Sequence, residues 1–189
     1  MRRVALLVVV AAVVVAVAAL AYTYTLLRGA QRPTGLPEPI ADVLRGVQRS
    51  ITVRVAGAVD GHVPRIYTCD ARPWRPPLIE WSPVNGSAYA VLVVDPDAPN
   101  GLFVHLVAYD GREPRWPAPD YHVGYNSAGR LGWFPVCPPA GDKPHHYYFI
   151  VVALRKPTGL PSGASFNQVL SAIAGNAVAY GYTVLTYQR

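Results

Sequence analysis

The chain has 189 residues, 19 of them proline, with only two cysteines and a formal net charge of +6. That length suits one compact domain with an accessory segment, and two cysteines are too few for a disulfide scaffold or a Cys/His metal cluster. The basic residues are scattered along the chain and do not cluster on one helix or face, so nucleic acid is not an expected partner, and no metal or cofactor motif is present.

Arg2 and Arg3 precede an uncharged run of Val, Ala and Leu from Val4 to Leu27. As a helix this run is long enough to cross a hydrocarbon core of roughly 30 Å. A secretory signal has an apolar region of only about 7–15 residues, so residues 1–27 read as an uncleaved membrane anchor. The arginines before the run place the N-terminus in the cytoplasm and the domain outside. The small residues Ala16, Ala18, Ala19 and Ala21 leave signal cleavage and secretion as the alternative.

Residues 28–50 begin RGAQRPTGLPEP, which reads as a linker, with a possible short helix from Ile40 to Gln48. ITVRVAGAV, from Ile51, suggests a first strand by its alternation. The following segment, through Trp81, is Pro-rich and loop-like. AYAVLVVD and FVHLVAYD read as strands with apolar residues on both faces. Residues 111–144 look irregular, and HYYFIVVAL is the clearest strand of the chain. SFNQVLSAIAGNAVAYG reads as a helix ending at Gly181, and YTVLTYQR as a closing strand. The resulting expectation is a mainly β sandwich with a few peripheral helices over residues 51–189, preceded by a transmembrane helix.

Within the apolar strands a few polar residues stand out. Asp95 closes one strand and Pro96 stops its ladder from continuing, while turn chemistry alone could account for both. His105 lies among Phe103, Val104, Leu106 and Val107, where a buried imidazole needs hydrogen-bond partners. By period-2 alternation His145 and Tyr147 share one face of their strand, and His146 and Tyr148 share the other. Such strand-end clusters could converge at one end of a sandwich, as a small polar site requires.

DPDAP at Asp95–Pro99, the histidine ten residues after the first aspartate, and CPPAGDKPHHYYF at Cys137–Phe149 together resemble the phosphatidylethanolamine-binding protein family. The likeness is to its bacterial and archaeal, Raf kinase inhibitor-like branch. DGHVPRIYTCDARPWRPPLIEW, NSAGRLGW and GYTVLTYQR extend it from about Ile51 to Arg189. The resemblance implies a β-sandwich with an anion pocket at one end, and its ligand-binding residues would be Asp95, Asp97, His105, Pro138, Pro139, His145, Tyr147 and Tyr187. The imidazoles and phenols would offer donors to phosphate or carboxylate oxygens, and the aspartates would orient a histidine or accept from an ammonium group. Where the family often has glycines, this chain has Phe134, Pro135 and Val136. Leu106 stands in place of a tryptophan, His146 of an arginine and Asn176 of a histidine.

Cys69 follows the Tyr-Thr step and Cys137 opens the pocket loop. They could form a disulfide in an oxidising compartment or remain two buried thiols. The expected function is therefore a membrane-anchored, extracytoplasmic binding protein for a phosphate- or carboxylate-bearing ligand or a phospholipid head group, without turnover. Inhibition of a protease or another protein through the same surface is the alternative, and a hydrolase or metal enzyme is the weakest reading.

Overall fold

The structure, a computed structural model, describes residues 13–23 and 34–189. Residues 13–23 form helix α1, and its side chains are exposed. No helix among the described residues is long and apolar enough to cross a membrane. The remainder of the expected Val4–Leu27 span lies outside the described residues.

From residue 34 onward the chain is continuous. Helix α2 (Ile40–Val43) leads into β1 (Gln48–Arg49) and β2 (Val53–Val55), followed by a 3-10 turn at Arg65–Tyr67. Strands β3 (Ile79–Trp81), β4 (Ala88–Asp95), β5 (Phe103–Gly111), β6 (Arg115–Trp116), β7 (His122–Val123) and β8 (His145–Leu154) come next. Helix α3 (Phe166–Ile173) and β9 (Ala177–Tyr187) close the chain. The strands form a six-stranded sheet in the order β1-β9-β8-β4-β5-β7 and a three-stranded sheet in the order β2-β3-β6.

Every residue of β4 is buried because its sheet is covered on both faces. Tyr89, Val91 and Val93 of β4, with Tyr147, Phe149 and Val151 of β8, pack toward the small sheet. Ala90, Leu92 and Val94, with Ile150, Val152 and Leu154, pack toward α2 and α3 on the other side. Period-2 alternation thus feeds two cores at once, and each large aliphatic or aromatic side chain buried there contributes about 1.5–3 kcal/mol.

Several elements differ from the sequence expectation, among them β3, β6 and β7, which lie in stretches that read as loop-like or irregular. The linker expected over 28–50 is partly core, since Leu36, Ile40, Ala41 and Leu44 are buried and β1 pairs in parallel with β9. The short helix expected over Ile40–Gln48 stops at Val43. The helix expected to run up to Gly181 ends at Ile173, and Ala177 to Tyr180 belong to β9. Gly175, at φ +70°, takes a left-handed conformation that ends the helix cheaply, and β8 then offers Ala153 and Leu154 as ladder partners for Ala179 and Ala177. Ser165 sets the start of α3 through a capping box with Gln168.

Candidate ligand-binding site

The decisive local feature is a β-bulge. Val93 pairs with Leu106 but the next residue, Val94, pairs with Val104, so His105 is the extra residue on β5. A bulge of this kind re-aims a side chain and leaves its backbone without a ladder partner. Here Leu106 and Ala108 pack toward the small sheet, while Val104, Val107 and Tyr109 pack toward the helices. His105 is therefore released from the ladder at the sheet end. The loop beyond β7 takes up the freed groups: the Phe134 N–H donates to the His105 carbonyl at 2.9 Å, and the His105 ring Nδ1 donates to the Phe134 carbonyl at 3.0 Å.

That second bond places the ring proton on Nδ1 and leaves Nε2 as an acceptor in the neutral imidazole. Burial outweighs every favourable partner and lowers the His105 pKa to about 4. The ring also meets Tyr147 edge-on, with centroids 5.4 Å apart.

Asp95, on the last residue of β4, lies on the same face as Val91 and Val93. Its Oδ2 accepts from Nδ1 of His145 at 2.8 Å, with both side chains buried, and its Oδ1 accepts from the Asp97 N–H at 2.8 Å. The His145 Nε2 lies 3.5 Å from Oδ2 of Asp142, a half-exposed residue of the turn that precedes β8. Asp95, His105 and His145 line one cavity of about 200 Å³, together with Phe103, Phe134 and the loop Cys137-Pro138-Pro139. A cavity below the roughly 300–1,000 Å³ of drug-sized sites suits a small group.

The loop is pinned from behind. Val136 exchanges backbone hydrogen bonds with Tyr67 and Cys69, and a disulfide joins Cys69 to Cys137 with Cα atoms 5.4 Å apart. Trp133 and Val136 are buried in the core, which fixes the loop on both sides of Phe134.

A sequence model of the phosphatidylethanolamine-binding protein family matches residues 55–188. The chain belongs to that family. A family member of Pyrococcus horikoshii, a UPF0098 protein, is 32% identical over 160 residues, covering 76% of this chain and 80% of its own. A UPF0098 protein of Methanothermobacter thermautotrophicus is 36% identical over 142 residues, covering 68% of this chain and 92% of its own. A Mycobacterium tuberculosis protein named as the lipoprotein LppC is 35% identical over 136 residues, covering 67% of this chain and 66% of its own. Among solved structures, a phosphatidylethanolamine-binding protein homolog of Chlamydia trachomatis superimposes with a TM-score of 0.67 at 26% identity, over 75% of this chain and 99% of that one.

In this family member three of the eight residues carried over from the motif lie away from the cavity wall. Asp97 turns outward, where its Oδ2 accepts from the His146 backbone N–H at 2.9 Å and from its ring Nδ1 at 2.7 Å. Burial alone would raise the Asp97 pKa, but the hydrogen bonds and charge of His146 hold it below the usual carboxylate value. Tyr147 packs behind the two histidines; burial and the nearby Asp95 carboxylate raise its pKa, and its buried hydroxyl makes no well-formed hydrogen bond among the described residues. Tyr187 donates to Oδ2 of Asp70 at 2.7 Å and accepts from the Thr68 hydroxyl at 3.3 Å, in a network behind the disulfide. Phe103 and Asp142 were not singled out in the sequence. Phe103 could have been, because it lies two residues before His105 on the same strand.

Proposed function

We propose that this protein is an anchored, extracytoplasmic binding protein whose cavity holds a small head group carrying phosphate or carboxylate, without turnover. The observation that carries the reading is the convergence of Asp95, His105 and His145, from three adjacent strands, on one small cavity. The His145 Nε2, on the ring side away from the Asp95 carboxylate that Nδ1 engages, donates to an anionic oxygen in the imidazolium form, while Nε2 of neutral His105 accepts from an N–H or O–H. Asp142 at the rim attracts an ammonium group. A ligand bearing both an acid oxygen and a hydrogen donor, such as phosphoethanolamine, suits this pairing better than a bare anion.

The apolar run Val4–Leu27 supports anchoring, and the lipoprotein name of the Mycobacterium relative fits a membrane-associated, extracytoplasmic setting. Carbonate-resistant sedimentation of the full chain tests the anchor. Recovery of soluble protein beginning near residue 19 to 22 means a cleaved signal instead.

Calorimetric titration with phosphoethanolamine tests the pocket. His145→Ala is expected to weaken binding about ten- to hundredfold, the range for losing a hydrogen bond to a charged group. His146→Ala, on the outer face, should leave it nearly unchanged. Equal losses from the two variants, with thermal unfolding checked for both, overturn the assignment. The half-exposed rim residues Phe103 and Phe134 favour a second reading, protein inhibition through the same surface. Peptidase inhibition that survives His145→Ala would separate it from head-group binding.

A further inference from the structure

Behind the pocket loop, residues 65–76 form a lobe of unusual surface chemistry. The Arg75 N–H donates to the Ile66 carbonyl at 3.0 Å and closes the lobe, and the Cys69–Cys137 disulfide ties it to the cavity wall. Trp74 is 40% exposed and Ile66 41% exposed, flanked by exposed Arg65, Arg72 and Arg75. The lobe's one acidic residue, the partly exposed Asp70, is already bonded by Tyr187 and by the Arg189 Nε at 3.0 Å. Among the described residues no ion pair within 4.0 Å joins the three arginines to a carboxylate. Arg65 feels the Asp70 carboxylate, but Arg72 and Arg75 have no carboxylate within 4.0 Å among the described residues, and an exposed indole beside such guanidinium groups in the chain matches an anionic lipid interface, where the ring enters the head-group layer and the charges meet phosphates.

We infer that Arg65, Ile66, Arg72, Trp74 and Arg75 dock the domain on an anionic phospholipid surface. The covalent layout agrees. Thr34, where the described domain begins, accepts from the Tyr182 hydroxyl. Tyr182 lies five residues along β9 from Tyr187, which touches the base of the lobe through Thr68 and Asp70. Five strand residues span about 17 Å. With the proposed anchor ending at Leu27, residues 28–33 supply at most about 20–22 Å of tether, somewhat more than that strand distance. Docking there sets the pocket loop beside the head-group layer. The inference uses the proposed anchor only for proximity.

Of the four tryptophans, Trp81, Trp116 and Trp133 are buried at 5–7% exposure, so bromine-labelled acyl chains quench Trp74 selectively. Full-length protein is mixed with two sets of brominated phosphatidylcholine vesicles, one with and one without phosphatidylglycerol, and both sedimentation and fluorescence are read. Quenching is expected only with the anionic vesicles. It should fall to the zwitterionic level in the double variant Arg72→Glu/Arg75→Glu, and in wild type when about 1 M salt shortens the Debye length from about 10 Å to about 3 Å. Neither residue lines the pocket, so titration with phosphoethanolamine should be unchanged, which also certifies the fold. Sedimentation with the zwitterionic vesicles tests the anchor separately. Absent quenching with anionic vesicles, or quenching indifferent to charge reversal, overturns the docking surface whether or not the chain sediments. So does capture of an acidic polypeptide by the lobe without any bromolipid quenching.

Discussion

His105 is released from its ladder by the bulge, held by the Phe134 carbonyl and buried, and this combination keeps it neutral well below the normal histidine range. Its folded pKa, lowered from 6.5 to about 4, makes stability pH-dependent in a defined window. Above pH 6.5 neither state binds the proton and the effect is fully present. As pH falls from 6.5 toward 4 the unfolded chain takes up a proton that the folded chain refuses, and stability drops by about 3 kcal/mol. Urea unfolding at steps across that window should show the loss, and His105→Asn, which keeps a donor for Phe134, should remove that part of the slope. An identical slope in both proteins would show that His105 does not carry it. The same neutrality means that His105 contributes no positive charge to anion binding near neutral pH.

Among the secondary-structure elements, β9 has the greatest structural consequence. It pairs with β8 along its whole length and with β1 on its other edge, and Gly181 sits where the chain passes closest to its neighbour. A Cβ at Gly181 would lie 1.9 Å from the Ile51 carbonyl oxygen, a backbone atom that cannot rotate away. Gly181→Ala should therefore destabilise by at least about 3 kcal/mol, the upper part of the overpacking range, in chemical denaturation. A loss below 1 kcal/mol would mean that the residue-51 segment shifts freely. The helical spacing of Phe166, Val169, Leu170, Ile173 and Val178 extended past the true helix end, because a buried strand and a buried helix both use apolar residues at those intervals.

For the whole molecule, the disulfide links the lobe to the pocket loop across 68 residues of sequence. Closing a loop of that length contributes about 2–4 kcal/mol. Paired Cys69→Ser/Cys137→Ser substitution should lower the unfolding midpoint accordingly and also weaken phosphoethanolamine binding, since Cys137 lines the cavity. Lower stability with unchanged binding would show that the remaining contacts of Val136 and Trp133 suffice to hold the loop. The N-terminal part of the domain contributes at this scale as well. Leu36, Ile40 and Leu44 seal the helix-side core although Gly35, Pro37 and Pro39 make the segment read as a linker.

The sequence by itself determined the long strands, the mainly β class and the membership implied by DPDAP and CPPAGDKPHHYYF. Uninterrupted β-branched and aromatic runs admit few alternatives, and short motifs are independent of register. It also separated His145 from His146, because alternation along a strand is a local rule. Tertiary structure alone decided how many of the named polar residues share one cavity. Asp97 is turned outward by His146 and Tyr187 is taken up by Asp70, partners 49 and 117 residues away, and no local pattern encodes such bonds. The bulge that re-aims His105 was equally invisible, since an extra residue on one strand exists only relative to the strand beside it.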